Sequence, residues 1–152
     1  MSFISFSLNQ YRLPLFHVDD DRYRALGAWI ITDISRHMLV CLDALEMIED
    51  VAHGRLPQEE WSSENYEVSF TPQGFSFRNL WLSDDTGQYT VDEAREAFEE
   101  YWRFLVSLPE RGFIREYRPE LPEWQADLLR WGEKWGRTDP YRGRLFSRRA
   151  GR

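Results

Sequence analysis

Residues 61–105 read WSSENYEVSFTPQGFSFRNLWLSDDTGQYTVDEAREAFEEYWRFL, and their patterning decides the fold class. Tyr66, Val68 and Phe70 alternate with Glu67 and Ser69, which is the two-residue period of a half-buried strand. Pro72-Gln73-Gly74 supplies turn residues. Phe75 and Phe77 then alternate around Ser76, and Leu80 and Leu82 flank Trp81. The economical reading is a β-hairpin whose apolar residues, Tyr66 through Leu82, belong to the core. An isolated hairpin is marginal in water, so further strands or a helix must cover it. Residues 83–89, SDDTGQY, read as a polar loop. Thr90 with Glu93 three positions later forms a capping box, which opens an amphipathic helix. Its inner face is Ala94, Phe98, Tyr101, Trp102 and Leu105; its outer face is acidic, with Asp92, Glu93, Glu96, Glu99 and Glu100. Pro109 and Gly112 end it.

Working outward toward the N-terminus, residues 2–8 alternate as a strand with Ile4, Phe6 and Leu8 on one face. This strand and the capped helix can supply the cover that the hairpin needs. Tyr11–Phe16 reads as a second short strand, confined to an edge by Pro14. The acidic HVDDDR turn (17–22) follows; Tyr23–Ile31 then reads either as a strand with an irregularity at Gly27 or as a helical lead-in, with a short strand at Ala28–Ile31 favoured. Thr32 or Asp33 caps a helix whose buried face steps through Ile34, Met38, Cys41, Leu45, Ile48 and Ala52. Asp43, Glu46, Glu49 and Asp50 lie toward its other side, and Gly54 stops it. Toward the C-terminus, Phe113–Arg118 reads as a loop with extended character. Leu121, Trp124, Leu128, Trp131 and Trp135 then recur at helical spacing as a buried aromatic stripe, stopped by Gly136 and Pro140.

A chain of 152 residues suits one domain, and seven Trp give it bulky side chains for a core. The net charge of −7 is unevenly spread. Residues 137–152 hold six Arg against Asp139, so residues 1–136 carry 13 basic and 25 acidic side chains. The body is therefore acidic, near −12, and the tail basic and expected to be mobile. An acidic body repels nucleic acid and attracts basic protein surfaces. The single cysteine, Cys41, excludes an internal disulfide framework and fits a reducing compartment. The sequence has no long apolar run and no secretory leader pattern at its N-terminus, which makes the cytoplasm the default expectation.

Chemistry-bearing groups are sparse. Asp85-Thr86-Gly87 matches the aspartic-protease tripeptide, but that chemistry needs two such Asp sharing a proton, and the chain has one copy. A turn before the helix is the plainer reading. His17, His37 and His53 show no metal-ligand spacing, and His37 and His53 stand about four helical turns apart. Cys41 falls on an apolar helix face, as a structural thiol does. Asp19–Asp21 and Asp84–Asp85 lack an EF-hand pattern and read as solvated loop acids. No nucleotide-loop or nucleophile-elbow motif occurs. No cofactor is expected.

Three pieces together carry a resemblance: DALEMIEDVAHGRLPQEEW (43–61), ENYEVSFTPQGFSFRNLWL (64–82) and YTVDEAREAFEEYWRFL (89–105). A helix ends in an acidic-to-Gly segment, a Trp follows, Asn-Tyr opens a hairpin, and a polar loop leads to a helix ending Tyr-Trp-Arg-Phe-Leu. This arrangement resembles immunity proteins of contact-dependent growth inhibition systems and related bacterial toxin–immunity pairs. It covers roughly residues 28–106. Where the family pattern places Gly-Asn before the Tyr, this chain has Glu64-Asn65, and residues 113–152 have no counterpart.

The resemblance implies a small, non-catalytic, cytoplasmic protein that binds and blocks a toxin domain, often a nuclease. The family has no shared toxin-contact motif, so candidate contacts follow from charge and aromatic content. Nuclease domains are basic because their substrate is polyanionic, so an acidic surface suits them. Asp84, Asp85, Glu96, Glu99 and Glu100, with Glu64, form the expected partner surface, and Trp61 and Trp81 are its expected anchors. The expected architecture is α+β: a single domain over 1–136, with helices packed on an antiparallel sheet of three to five strands. Two other classes stay open: a small enzyme using the Asp84–Asp85 loop, and a nucleic-acid-associated protein using the Arg-rich tail, which the acidic body opposes.

Overall fold

The structure is a computed structural model that describes residues 2–55, 61, 63–109 and 115–135. Among the described residues, five strands and four α-helices are arranged as two antiparallel sheets with helices packed on them, so the chain is α+β. Strands β1 (Ile4–Leu8) and β2 (Pro14–Val18) form a two-stranded ribbon, with Phe6 opposite Phe16. Strands β3 (Tyr66–Thr71), β4 (Gly74–Asn79) and β5 (Thr86–Tyr89) form the second sheet in the order β3-β4-β5. The expected strand number is met, but split between two sheets. The hairpin is completed by β5 rather than by the N-terminal strand. β5 lies in the stretch that reads as a polar loop, because only Tyr89 among its four residues is a large apolar side chain. Thr86 and Gln88 face solvent, and Gly87 faces inward opposite Phe77. A Cβ on Gly87 would run into the Tyr89 ring, whose hydroxyl donates to the Arg22 carbonyl and accepts from the Leu26 N–H. The glycine there is a packing requirement.

Residues 24–34 correct the sequence reading most sharply. The favoured strand at Ala28–Ile31 does not form, and the helical alternative does. Helix α1 (Arg24–Trp29) runs directly into a π-helical turn, Ile30–Ile34. The β-branched pair Ile30-Ile31 favours a strand locally. Leu26, Trp29, Ile30 and Ile34 are spaced by one helical turn and are all fully buried, and that burial outweighs local preference. Ser35 follows in a left-handed conformation (φ 52), and its carbonyl accepts from the Tyr101 hydroxyl. Helix α2 (Met38–Ala52) therefore starts four residues later than expected, with His37 at its N-cap making no side-chain cap bond. Thr32 and Asp33 do not cap it. Cys41, Leu45 and Ile48 are buried as read, with the Cys41 Sγ 4.0 Å from the Phe98 carbonyl. Ala52 is exposed, while Glu46 and Asp50 are buried. Gly54 (φ 72) ends the helix as expected.

Helix α3 (Val91–Ser107) carries the expected capping box: the Thr90 Oγ1 accepts from the Glu93 N–H at 3.0 Å and the Glu93 carboxylate accepts from the Thr90 N–H at 3.0 Å. Its inner face is buried as read. Helix α4 (Glu123–Trp135) buries Leu128 and Trp131, and Trp131 donates its indole N–H to Asp43 of α2 at 2.8 Å. Leu121 and Trp124 are half-buried, and the side chain of Trp135 lies outside the described residues. Within the expected extended stretch, 113 and 114 lie outside them and 115–118 form no strand.

Trp29 is the centre of the core. Its ring lies within about 6 Å of Trp61, Phe70, Phe77 and Phe98, joining α1, the inner face of the β3-β4-β5 sheet and α3. The β1–β2 ribbon packs beside α3 through Phe6 against Tyr101 and Phe104. Among the described residues, no helix is long and apolar enough to cross a membrane.

Candidate protein-binding loop at the end of the sheet

Strand β4 ends at Asn79 because its side chain turns back onto the following backbone. The Asn79 Oδ1 accepts from the N–H of Trp81 at 2.7 Å and of Leu82 at 3.0 Å. This Asx-type turn competes with continuation of the strand. The loop is held on three further sides. Its Leu80 N–H donates to the Asn65 carbonyl, the Asn79 N–H donates to the Asp85 carbonyl, and the Asp85 N–H donates to the Leu82 carbonyl. Beneath it, one carboxylate oxygen of Asp85 accepts from the Tyr66 hydroxyl at 2.7 Å and from the Asn79 amide at 3.0 Å. Burial first, then the bond to Asp85, pushes the Tyr66 phenol above its ordinary value. That hydroxyl therefore stays protonated and donating.

The rigid loop holds apolar side chains in water. Leu80 is 47% exposed, Trp81 75% and Leu82 58%. The core reading of Tyr66–Leu82 thus holds for Tyr66 and for Phe75 and Phe77, but fails for these last three. Exposed Asp84 follows them in the same loop, and exposed Glu64 stands beside Asn65, to which the loop is bonded. Glu64, Trp81 and Asp84 of the expected surface are therefore brought together, with Asp85 beneath them as the clamp. The Asp85-Thr86-Gly87 tripeptide is accounted for locally: a carboxylate that fixes a loop, then the first residues of β5.

The other expected contacts part from this cluster. β5 runs from Thr86, opposite Arg78, to Tyr89, opposite Phe75, so the 80–85 loop and the start of α3 leave opposite ends of that strand. Asp84–Glu100 is consequently not one surface. Glu96 is exposed but accepts from the Ser2 hydroxyl at 2.8 Å. Glu100 is half-buried and paired with Arg103 at 3.2 Å. Glu99 is buried, 3% exposed, and is withdrawn as a contact. Its flank of α3 is covered by α2, as the Arg95–Glu49 bridge at 3.1 Å marks, so two neighbours bury a wider arc than a single stripe suggests. Trp61 is withdrawn as an anchor as well. It is half-buried, 5.1 Å from the Trp29 ring, and its indole N–H donates to Asp33 at 3.2 Å. Asp33, read as a helix cap, holds Trp61 and Ser63 instead, accepting from both side chains.

The sequence reading did not find Leu80 and Leu82 as surface residues, or Asn79 as the organiser. Asn followed by an apolar run was the available signal. Two open grooves of about 610 and 530 Å³ cross the outer face of the three-stranded sheet. Ser69, Ser76 and Gln88 line both, and neither has Asp84 or Asp85 in its wall. Among the described residues, no group of three or more His, Cys, Asp or Glu is placed to hold a metal ion. The Arg-rich stretch 137–152 lies outside the described residues. Comparison with family models, with curated proteins and with solved structures gave no match.

Proposed function

We propose that this chain is a non-catalytic binding protein of the bacterial toxin–immunity kind, which neutralises a cognate basic toxin domain, of the nuclease class, by stoichiometric contact. One observation carries the reading: Leu80, Trp81 and Leu82 stand exposed on a loop fixed by its own hydrogen bonds, flanked by Glu64 and Asp84. Burying such a side chain is worth about 1.5–3 kcal/mol, so holding three in water is costly unless a partner covers them. The loop is ordered before binding, so little conformational entropy is lost when a partner arrives. Trp is a common interface hot spot, and the two carboxylates favour a basic rim on the partner. Glu64, Trp81 and Asp84 are the contacts proposed, with Leu80 and Leu82 added. The acidic body agrees with a basic partner, and a toxin that acts inside the cell places its neutraliser in the cytoplasm.

The test is to look for a toxin domain encoded by a gene neighbouring this chain's and to co-express the two. Wild type should restore growth and co-purify one-to-one. The triple variant L80S/W81S/L82S should keep its thermal midpoint, lose co-purification and fail to restore growth. If that variant protects as well as wild type, the loop is not the contact; if wild type itself neither binds nor protects, the toxin reading falls.

A further inference from the structure

A second turn in this chain is built like the one at Asn79. The Asn9 Oδ1 accepts from the N–H of Tyr11 at 2.8 Å and of Leu13 at 3.0 Å. The Asn9 N–H donates to the Leu13 carbonyl and the Arg12 N–H to the Asn9 carbonyl, which fixes the tip between β1 and β2. Arg12 is held left-handed there, at φ 64, a conformation that residues other than Gly adopt only when their surroundings enforce it. As at Asn79, the residue two positions on is an exposed aromatic, Tyr11 at 73%, and the neighbouring leucines, Leu13 and Leu15, are exposed.

The two tips differ in charge. The loop at Asn79 carries Glu64 and Asp84; the tip at Asn9 carries exposed Arg12. A basic, apolar tip repels a basic partner, so it does not extend the surface proposed above. It fits an acidic surface with exposed apolar groups, and the loop at 80–84 has that character. Tyr11 and Trp81 are both largely in water, so the two tips do not cover each other within one molecule. Both are tied to the same short segment, however. Arg36 reaches the Arg12 carbonyl at 3.5 Å, and Asp33 holds Ser63, two residues from the Asn65 carbonyl that holds Leu80. Each tip is thus linked to residues 33–36 by a short run of contacts. In a two-fold pair, a tip of one molecule seated on the loop of its partner is matched by the reciprocal contact, the self-complementary arrangement of a symmetric dimer.

We propose that the free chain pairs with a second copy, with the Tyr11–Arg12 tip of each molecule seated on the Trp81–Asp84 loop of the other. The inference stands apart from the toxin reading, but both use the 80–84 loop, so a partner bound there displaces the second copy.

Sedimentation velocity on the full chain over a concentration series tests it. Wild type should move from the 18.3 kDa monomer toward a dimer. Y11A and W81A should each shift that transition at least tenfold upward in concentration, with thermal midpoints unchanged at concentrations low enough that wild type is monomeric, because both side chains are exposed. An equimolar mixture of Y11A and W81A should recover association, since one tip–loop contact stays intact in the mixed pair. R12E and D84R should each weaken self-association, and their mixture should associate more tightly than either alone, because both contacts in the mixed pair join opposite charges. Y11A should still protect against the toxin while W81A does not. A wild type that stays monomeric throughout, a dimer that survives Y11A and W81A, or mixtures that recover nothing would each overturn the proposal.

Discussion

The hydroxyl of Tyr66 is the one side-chain donor that crosses from the start of β3 to the carboxylate under the exposed loop, at 2.7 Å among the described contacts of Asp85. Tyr66→Phe keeps the ring in the core and removes that donor. Asp85 then retains the Asn79 amide as a side-chain partner, and the loss is about 1–2 kcal/mol, because a bond to a charged group is worth more than a neutral one. A lower urea midpoint with an unchanged slope would show it. The larger expected effect is on the loop: hydrogen exchange at the Trp81 and Leu82 amides should accelerate in Y66F. Unchanged exchange would mean that Asn79 and the loop's backbone bonds fix it without the Tyr66 hydroxyl. Glu93 gives a second residue-scale test, with a pH signature. Burial raises its pKa, but the Thr90 N–H, the Tyr23 hydroxyl and the Arg22 guanidinium together outweigh burial and lower it. A carboxylate with a depressed folded-state pKa adds stability above its unfolded value, about 4.3, and that stability is lost as pH falls through the folded value. Glu93→Gln should therefore destabilise by about 1–2 kcal/mol at pH 7, by loss of charge-assisted bonds. The gap from wild type should close only as pH falls through the depressed folded-state value, where Glu93 itself becomes protonated. A gap independent of pH would assign its cost to packing rather than charge.

At the scale of elements, helix α4 is anchored on α2 through Trp131. Trp131→Phe keeps most of the buried ring and loses the bond to Asp43, for a cost of about 1 kcal/mol. Trp131→Ala leaves a cavity and costs about 3–5 kcal/mol. Circular dichroism during denaturation, with amide exchange across 123–134, separates the two variants. If alanine costs no more than phenylalanine, the aromatic stripe is not what docks the helix. That stripe was legible because helical spacing survives in the sequence whatever the helix packs against. The hairpin and the capping box were legible for a similar reason: alternation and the Thr90–Glu93 pair are local and need no distant partner. Residues 24–34 were misread because two β-branched side chains give a strand signal, while the helical period is satisfied only once α3 and the sheet bury Leu26, Trp29, Ile30 and Ile34. The candidate site was legible in part. Glu64, Trp81 and Asp84 stand together as a charge-and-aromatic reading suggests. Trp61 and Glu99 read the same in sequence, but Trp61 is half-buried against Trp29 and tied to Asp33, 28 residues before it, and Glu99 is buried where α2 covers its flank. An exposed and a buried Trp differ only in what the rest of the chain brings to them.

Over the whole molecule, charge and anchor act on different steps of the proposed toxin encounter. The chain carries −7 overall, and Glu64 and Asp84 stand exposed beside Trp81. Such a field steers a basic domain toward the loop before contact, an effect that salt screens beyond about 8 Å at physiological ionic strength. Trp81 acts after contact, once its ring is desolvated against the partner, where a hot-spot aromatic sets how long the complex lasts. The two variants should therefore split kinetically in stopped-flow or biosensor measurements against the toxin domain. For wild type, the association rate should fall about tenfold or more between low and high salt, while dissociation changes little. Glu64→Lys with Asp84→Lys should lower the association rate at low salt and flatten its salt dependence. Trp81→Ala should leave the salt dependence of association intact and speed dissociation by about thirtyfold or more, the rate equivalent of a loss of about 2 kcal/mol. If the charge variant changes only dissociation, Glu64 and Asp84 are contacts without a steering role. If Trp81→Ala changes neither rate, the exposed loop is not where the toxin sits, whatever else the acidic body attracts.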